Sequence, residues 1–384
     1  LIASIAPQIY GYEDLKYALL LQQFGGTPSA KRSDIHILVV GSTGLGKTQL
    51  ARTMVKLAPK GVYVTGTSAS RVGLTASVTH NSEGWMLEAG AIPLANNGFI
   101  VIDEIDKLTN KEDTAALHEV LETGQVVVNK ANIHATLSAK VSLLAVANPK
   151  LGVFNHNEPL INQIDLLPSL VNRFDLVFFL TGDQTDEEQL HIAKTLFAEK
   201  ESTLKPDLVR KYIAYAKQNV FPKFSEEAEN LLTNFYLDLR HQASNLEYTP
   251  VPISPRQLEA IKRLAEANAK LRLSQVVSPE DARIAIDLEM KYLRTVGIDP
   301  VSGALDMGAL EGVPASFRAQ VITVKNTILS LISTSPLKSV TLKEIKDATG
   351  LSEDNLLRVI DALKASNDIY EPSMNTYKLV RYSI

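Results

Sequence analysis

The sequence contains no cysteine, and this absence excludes disulfide bonds and zinc sites built on thiolates. It also lacks a basic excess: the formal net charge is −4, so a nucleic acid would have to be bound by a local basic patch. No apolar run approaches the roughly 18 residues that span a membrane, and the N-terminal residues do not form a signal peptide. We therefore expect a cytosolic protein with no zinc site in this segment and no membrane partner. The first residue is not methionine, and we expect further sequence upstream.

The 384 residues are 45% hydrophobic, which is enough for a large core and for two or three domains. Up to residue 181, short β-rich segments alternate with segments of helical periodicity. This alternation predicts an α/β core with a parallel sheet over residues 1–181. The predicted strands lie in "DIHILVVG", "GVYVTG", "NGFIVID", "KVSLLAVAN" and "DLVFFLTG".

Residues 182–297 show helical periodicity only, and they predict a helical lid subdomain whose helix starts carry capping signals at Thr185 and Ser254. Residues 298–316 are rich in glycine, proline and small residues and predict a linker. Residues 317–384 predict a helix, a turn at Gly350, a second helix capped by Ser352 and a hairpin, which is the pattern of a winged helix. Such a domain binds DNA or another protein, and the sequence leaves both open.

The segment "GSTGLGKT", residues 41–48, fits the phosphate-loop pattern G-x-x-x-x-G-K-[ST]. An apolar strand precedes it and a helix follows, so backbone N–H groups and the helix N-terminus can surround phosphates. In this arrangement Lys47 should reach the β- and γ-phosphates of a nucleotide, and Thr48 should hold Mg²⁺. The alternative is a glycine-rich turn without a ligand, which this context disfavours.

Polar residues end two further predicted strands. In "NGFIVIDEIDKL", four apolar residues place Asp103 at a strand end beside the loop, where it would bind Mg²⁺. Glu104 would orient or deprotonate an attacking water, unless the two acids form only a solvated strand end. In "SLLAVANP", Asn148 could hold the same water, or it could simply begin an Asn-Pro turn.

Two arginines and one lysine stand out by position. Arg173 lies in a short polar break in "PSLVNRFDLVFF", and Arg256 lies in the first turn of a predicted helix, where a cation is unfavourable without a nearby anion. Each is either an ordinary surface or salt-bridge residue or an arginine that reaches a nucleotide phosphate. The segment "VVVNKANIHATL", residues 126–137, alternates like a hairpin and carries Lys130 near its turn.

Taken in order, these segments resemble the minichromosome maintenance (MCM) family, of the archaeal type. The resemblance covers roughly residues 3–297, and the predicted winged helix suits that type. It implies an AAA+ P-loop core with a helical lid, and a hexameric replicative helicase that hydrolyses ATP with Mg²⁺ to translocate along one DNA strand. It rests on "SIAPQIYGYEDLKYALLLQQFGG", "APKGVYVTG", "VGLTASV", "WMLEAGAIPLANNGFIVIDEIDK", "HEVLETGQVVVNKANIHATLSAKVSLLAVANP", "LPSLVNRFDLVFF" and "PRQLEAIKRLAEANAKLRLS".

The resemblance also implies roles for single residues. Asp103 and Glu104 would be the Walker B pair, Asn148 the first sensor, and Arg173 and Arg256 the arginine finger and second sensor, acting on the neighbouring subunit's ATP. DNA would be contacted by Lys130 on the pre-sensor-1 hairpin, and by a helix-2 insert around Ser68, Ser70 and Arg71. The residues expected to contact ATP are Tyr10, Gly41, Ser42, Thr43, Gly44, Leu45, Gly46, Lys47, Thr48, Gln49 and Asn148.

The implied partners are single-stranded and duplex DNA and further copies of the chain in a homo-hexamer, which is weak or absent without the family's N-terminal region. The implied location is the cytoplasm of a prokaryote, on the nucleoid, or the nucleus of a eukaryote. The sequence departs from the family in its phosphate loop, at Thr123 and Gly124, where two glutamines are usual, and at His80, where a basic residue is usual. Two alternatives stay open: an AAA+ protein remodeller or chelatase, and a divergent, weakly active ATPase that serves as a structural or loading factor.

Overall fold

The computed structural model describes residues 1–28, 32–82, 84–108, 111–130, 133–155, 160–182, 186–197, 202, 204–244 and 255–296, and parts of 323–379. The chain separates into two compact units. The first comprises Leu1–His156 and Leu160–Met307, and the second comprises Asn157–Pro159 and Gly308–Ile384. The predicted core and lid therefore fall within one unit, and each unit is described by itself below.

The described strands are, in chain order, β1 (Ile37–Gly41), β2 (Gly61–Thr65), β3 (Ala76–Asn81), β4 (Gly84–Ala89), β5 (Gly98–Asp103), β6 (Gln125–Lys130), β7 (Ile133–Ser138), β8 (Val141–Ala147), β9 (Leu176–Leu180), β10 (Lys223–Phe224), β11 (Val276–Val277), β12 (Val340–Thr341), β13 (Ile369–Ser373) and β14 (Thr376–Leu379).

The described α-helices are α1 (Glu13–Phe24), α2 (Lys47–Leu57), α3 (Arg71–Leu74), α4 (Ala91–Leu94), α5 (Lys111–Thr123), α6 (Pro168–Val171), α7 (Asp186–Phe197), α8 (Pro206–Asn219), α9 (Glu226–Ser244), α10 (Pro255–Leu271), α11 (Pro279–Val296) and α12 (Leu342–Thr349). Short 3₁₀ helices cover Ile2–Ser4, Ile105–Lys107 and Leu160–Gln163.

The central sheet of the first unit has the strand order β2-β5-β8-β1-β9, and every neighbouring pair is parallel. These are the five strands predicted from the sequence, so the α/β core with a parallel sheet is confirmed. Successive residues of β1 enter different hydrophobic clusters: Ile37 and Val39 face one, and Leu38 and Val40 face the other. Both faces of the sheet are therefore covered, as parallel sheets require.

Three helix boundaries among the described residues coincide with residues that favour them. Helix α1 ends at Phe24, and Gly25 then takes φ +64, a conformation that glycine adopts without strain. Helix α10 begins at Pro255, the favoured first position. Before α11, Ser278 and Asp281 form a capping box, because the Ser278 N–H donates to Asp281 Oδ2 at 2.8 Å. Thr185, Ser254 and Gly297 lie outside the described residues.

A buried carboxylate joins the lid helices to the core. Asp175 accepts hydrogen bonds from Arg263 on α10, from Arg32 at 2.6 Å and from the backbone N–H of His36 at 2.7 Å. Burial alone would raise the pKa of Asp175, but Arg263 and Arg32 outweigh it and hold that pKa below its usual value. Glu289 of α11 is also buried, and burial beside Asp175 raises its pKa well above the usual value.

Two antiparallel hairpins, β3–β4 and β6–β7, extend from the α/β core and contact one another. The β6–β7 hairpin was predicted from the sequence. In the structure, Lys130 pairs with Ile133 beside the turn. The β3–β4 hairpin, in the helix-2 insert, was not predicted from the sequence. Its alternation of apolar and polar residues, in "ASVTHN" and "GWMLEA", is the signal that could have predicted it.

The second unit contains a three-stranded sheet of order β12-β14-β13 and helix α12. Val340, Ile345, Leu356 and Tyr377 are part of its buried core. The predicted linker 298–316 and the turn residues Gly350 and Ser352 lie outside the described residues, and the winged helix stays a prediction. Throughout the described part of the chain, we find no helix that is both long and apolar enough to cross a membrane.

Candidate functional site

The phosphate-loop motif connects β1 to α2 at the carboxyl edge of the sheet. Gly44 and Gly46 have φ values of +90 and +77, which fold the loop in a way that other residues rarely adopt. Gly41 is tightly enclosed, because a β-carbon there would lie 2.9 Å from the β-carbon of Leu180. Gly46 precedes α2, so the loop ends on a helix N-terminus, where backbone N–H groups attract anions.

Lys47 is held inside this loop. Its side chain is buried, and Nζ donates to the backbone oxygens of Gly41 and Ser42, both at 2.7 Å. Burial lowers the pKa of Lys47, although Asp103 and Asp106 act in the opposite direction. The ammonium group is thus placed where a nucleotide phosphate could replace the loop carbonyls as its partner, and two carboxylates lie close enough to affect it.

The register of the sheet brings the three predicted motifs to one edge. Val40 of β1 pairs with Ala147 of β8, so Gly41 and Asn148 follow at the same level. Ile102 of β5 pairs with Ala145 of β8, so Asp103 ends the strand on the other side of β8. Residues far apart in sequence therefore meet at the carboxyl ends of three neighbouring parallel strands, the usual place for a ligand in such sheets.

Asp103 has fixed partners at both carboxylate oxygens. Tyr63 donates its hydroxyl to Oδ2 at 2.6 Å, and the Glu104 N–H donates to Oδ1 at 3.0 Å. Burial and the bond to Asp103 raise the pKa of the Tyr63 hydroxyl, so it stays a donor. Glu104 has φ 55, an uncommon left-handed conformation for a residue with a side chain. A β-carbon at Gly66 would overlap the Glu104 carbonyl oxygen, so this turn requires glycine there.

Asp106 is a site residue that the sequence reasoning missed. Its Oδ1 accepts the backbone N–H of Asn148 at 3.1 Å, and Lys107 Nζ lies 3.2 Å from Oδ2. Asp106 thereby fixes the position of Asn148 relative to the turn that follows Asp103. The signal was present in "DEID", where a third acid follows the first two at a short interval.

The oxygen ligands available in this edge fit a magnesium ion. Thr48 lies in the first turn of α2 with an exposed side chain, and the Asp103 carboxylate keeps lone pairs beyond its two hydrogen bonds. Mg²⁺ commonly takes one or two protein oxygens, nucleotide phosphates and several waters. In the described ranges, no group of three or more His, Asp or Glu side chains could hold a metal by itself.

Arg173 and Arg256 lie elsewhere, beside the last turns of α5. Arg173 Nη2 forms an ion pair with Glu122 Oε2 at 2.7 Å, and its Nε donates to His118 Nε2 at 3.1 Å. Arg256 Nη2 lies 4.0 Å from Glu122 Oε1. Glu122 is therefore an anion beside the first turn of α10, where Arg256 alone would be unfavourable. The structure brings the two predicted arginines together on one carboxylate.

The sequence matches the family model for the MCM P-loop domain over residues 1–200 and that for the MCM AAA-lid domain over residues 207–293. The chain belongs to the minichromosome maintenance family. The parallel sheet with a phosphate loop and the helical segment after it are thus the MCM core and lid, and a P-loop domain of this kind implies a nucleotide and a divalent metal.

Several MCM proteins show how far the similarity extends. The minichromosome maintenance protein MCM of Saccharolobus solfataricus is 38% identical, over 99% of this chain and 57% of the relative. DNA replication licensing factor MCM4 of Drosophila melanogaster is 36% identical, over 81% of this chain and 38% of the relative. An uncharacterized MCM-type protein of Methanocaldococcus jannaschii is 32% identical, over 97% and 55%. The chain spans only 38% to 57% of the length of these three relatives.

The residues expected to contact DNA lie on or near the two MCM hairpins. Lys130 is exposed at the end of β6. Ser68 and Ser70 precede α3, and their hydroxyls bond to backbone groups of Thr65 and Gly73 at 3.2 Å. The side chain of Arg71 lies outside the described residues. The sequence reasoning missed Trp85 of β4, which is 54% exposed and packs edge-on against His80 of β3, with ring centroids 4.8 Å apart.

The remaining residues expected to contact the nucleotide lie at the margin of the loop. Tyr10 is partly exposed, and its ring stacks on His191 of α7 with centroids 5.2 Å apart. Gln49 is exposed in the first turn of α2. The loop residues Ser42, Thr43 and Leu45 surround the glycines, and the Thr43 N–H lies 3.4 Å from the Gly152 carbonyl oxygen. The roles of all of these residues stay predictions.

The departures at Thr123 and Gly124 have a local structural reason. Thr123 Oγ1 donates to the Glu119 carbonyl oxygen at 3.0 Å and accepts the Gln125 N–H at 3.2 Å, so it closes the end of α5. Gly124 then takes φ +66, which turns the chain into β6. In this MCM chain the two positions therefore terminate a helix and begin the second hairpin.

Proposed function

We propose that this chain is the motor module of an ATP-dependent DNA helicase of DNA replication. In the ring that we propose, six copies would hydrolyse ATP at their interfaces and move along single-stranded DNA to unwind a duplex. The observation that carries the proposal is the single sheet edge that brings together the phosphate loop, Asp103 and Asn148. The relatives' names support it, because one is a DNA replication licensing factor.

Each side chain at this edge has a chemical task. Lys47 and the backbone N–H groups of the loop would bind the β- and γ-phosphates, and Thr48 and Asp103 would hold Mg²⁺, which neutralises charge as the γ-phosphoryl group leaves. Glu104 would orient the attacking water and accept its proton, and Asn148 would hold that water. The fixed partners of Asp103 and Asn148 keep the two groups in place without reorganisation.

The arginines would complete a site on a neighbouring copy. Arg173 and Arg256 would place their guanidinium groups against the γ-phosphate bound by that neighbour, since planar arginine forks suit phosphate oxygens. The side chain of Arg256 is 54% exposed, which supports the assignment because it can reach an anion outside the chain. We also propose that the chain is organised into a core over residues 1–181, a lid over 182–297, a linker over 298–316 and a winged helix over 317–384.

The two hairpins would contact DNA from the ring's interior. Lys130 is an exposed cation at a hairpin end, the neighbouring hairpin presents Trp85, and Ser68 and Ser70 lie before α3. A lysine binds backbone phosphates without reading the sequence, which is what a translocating motor requires. The proposed location is wherever the cell replicates its DNA, in the cytoplasm or the nucleus.

The test is ATP hydrolysis measured over a range of protein concentrations, with and without single-stranded DNA. We expect specific activity to rise with concentration, because sites form between subunits, and DNA to stimulate it. Lys130→Ala should abolish unwinding and keep most basal hydrolysis, whereas Lys56→Ala, an exposed lysine on α2, should change neither. Full unwinding by Lys130→Ala, or hydrolysis indifferent to both concentration and DNA, would contradict the proposal.

A further inference from the structure

Glu122 occupies a particular position between the two arginines of the interface. Its two carboxylate oxygens face different partners: Oε2 is 2.7 Å from Arg173 Nη2, and Oε1 is 4.0 Å from Arg256 Nη2. Arg173 follows α6 in the core, whereas Arg256 belongs to α10 in the lid. One carboxylate thus lies beside two cations that come from different parts of the first unit.

Arg173 is the more firmly held of the two. His118 and Glu122 are one turn apart on α5, and they accept from Nε and Nη2 of the same guanidinium group at 3.1 and 2.7 Å. Because His118 accepts through Nε2, its ring must carry the proton on Nδ1. The Arg173 side chain is 13% exposed, against 54% for Arg256, so one arginine is set in place and the other stays accessible.

A carboxylate and a phosphate offer an arginine similar acceptors. Guanidinium forks bind both in the same planar geometry, so an anion of this chain can occupy the place of a nucleotide oxygen. Glu122 is itself 48% exposed, which leaves the pair open to a second anion. Two like charges this close also repel, and the shared carboxylate lowers that repulsion.

We propose that Glu122 is a positioning residue that holds Arg173 and Arg256 as a pair for the neighbouring subunit's ATP. It binds both guanidinium groups when the neighbouring site is empty and keeps their spacing when a γ-phosphate enters between them. This inference rests on the proposed function, in which both arginines act on the neighbour's nucleotide.

The direct test is steady-state ATP hydrolysis by the full chain carrying Glu122→Gln, which keeps the size of the side chain and removes its charge. We expect kcat to fall about ten-fold, with a smaller change in KM for ATP and an unchanged melting temperature. Glu119→Gln is the matched control, since Glu119 is an exposed glutamate on the same helix. An unchanged or increased kcat in Glu122→Gln would overturn the proposal, because it would make Glu122 neutral or inhibitory.

Mixed rings separate the positioning role from a general structural one. If Glu122 serves the neighbour's site, mixing Glu122→Gln with Lys47→Ala subunits should restore hydrolysis, because some interfaces then have both residues intact. Mixing Glu122→Gln with Arg173→Ala should restore none, since both lesions affect the same half of the interface. Recovery in the second mixture, or none in the first, would overturn the role of Glu122.

The proposed function has its own control in the same experiment. Arg173→Ala mixed with Lys47→Ala should also recover activity. If that mixture recovers and Glu122→Gln with Lys47→Ala does not, only the role of Glu122 fails. If neither recovers although mixed rings are shown to form, the assignment of the arginines to the neighbouring site fails as well.

Discussion

Two regions of the first unit present cationic side chains: the sheet edge with Lys47, Asp103 and Asn148, here called the nucleotide edge, and the surface with Arg173, Arg256 and Glu122, here called the arginine surface. The structure surrounds these cations differently. Lys47 is 8% exposed, and its Nζ donates to the Gly41 carbonyl oxygen of its own loop. Asp103 is buried as well, and the pairing of β1 with β8 fixes the strand ends beside the loop. Arg256 is 54% exposed and lies 4.0 Å from a carboxylate that it shares with Arg173. The first arrangement is formed within one chain, whereas the second keeps its charges open to an anion from outside.

This difference separates what a single subunit can do from what requires a neighbour. A phosphate loop with Asp103 and Asn148 at the same edge of the sheet can bind a nucleotide without assembly. The two arginines beside Glu122 would, in the proposed ring, supply charge to the neighbouring subunit's site. We therefore expect a change in the nucleotide edge to weaken nucleotide binding, and a change in the arginine surface to slow hydrolysis without weakening binding.

The largest expected effect comes from the arginine finger. Arg173→Ala should lower kcat for ATP hydrolysis by about 10³-fold or more, because one guanidinium carries much of the transition-state charge stabilisation. In separated subunits at low protein concentration, it should leave nucleotide affinity unchanged, whereas Lys47→Ala should weaken it. Titration with a fluorescent ATP analogue measures both. A loss of affinity in separated Arg173→Ala subunits equal to that in Lys47→Ala would remove the distinction between the two regions.

A second effect concerns the support beneath the arginine surface. Arg263 lies on the same helix as Arg256 and bonds to buried Asp175, two residues after Arg173. Arg263→Met should cost about 3 kcal/mol of unfolding free energy, because it leaves a buried carboxylate with fewer partners. Urea unfolding measures this, with Arg283→Met, whose ion pair is exposed, as the control. Equal losses in the two variants would show that the buried network does not hold the lid.

Like the arginine surface, the two hairpins present exposed side chains, among them Lys130 and Trp85. Trp85 is the one tryptophan in the sequence, so fluorescence excited at wavelengths that tyrosine does not absorb reports on the first hairpin alone. We expect single-stranded DNA to quench it, since bases stack on aromatic rings, and Trp85→Ala to weaken DNA binding by about 1 kcal/mol. Tyr215→Ala, an exposed aromatic on α8, should not weaken it. Fluorescence unchanged at saturating DNA would exclude stacking on Trp85.

A smaller effect, dependent on pH, arises deeper in the same network. Burial raises the pKa of Glu289, so the folded protein retains a proton that the unfolded chain loses above its ordinary pKa, and stability falls as pH rises above that value. Glu289→Gln carries no titrating proton. It should therefore gain stability relative to the wild type as pH rises toward neutrality and lose this advantage in acid. Melting temperatures compared across pH test this, and a constant difference would contradict the assigned burial.

How far the sequence predicted these regions depends on whether regular secondary structure or irregular tertiary packing brings the residues together. The phosphate loop is a continuous segment, and Asp103 and Asn148 end apolar strands, so their meeting follows from parallel pairing. Glu122 could not be assigned a partner, because its contact with Arg173 joins residues 51 positions apart through tertiary packing. The β3–β4 hairpin was missed for another reason: β4 is largely exposed, and neither strand shows the continuous apolar run that marks the central strands.

Helix α5 ends one residue before Gly124, and β6 begins directly after it, so Glu122 lies three residues from the start of the hairpin that carries Lys130. The base of that hairpin is closed by the Ala139 N–H, which donates to the Gly124 oxygen at 2.8 Å. At its other end the hairpin leads through β8 to Asn148. In the proposed ring, this hairpin would therefore connect to the chain's own nucleotide through Asn148 and to the neighbour's nucleotide through Glu122. Lys130 would then respond to both nucleotides, so the lysines of the ring would move one after another as hydrolysis proceeds from subunit to subunit.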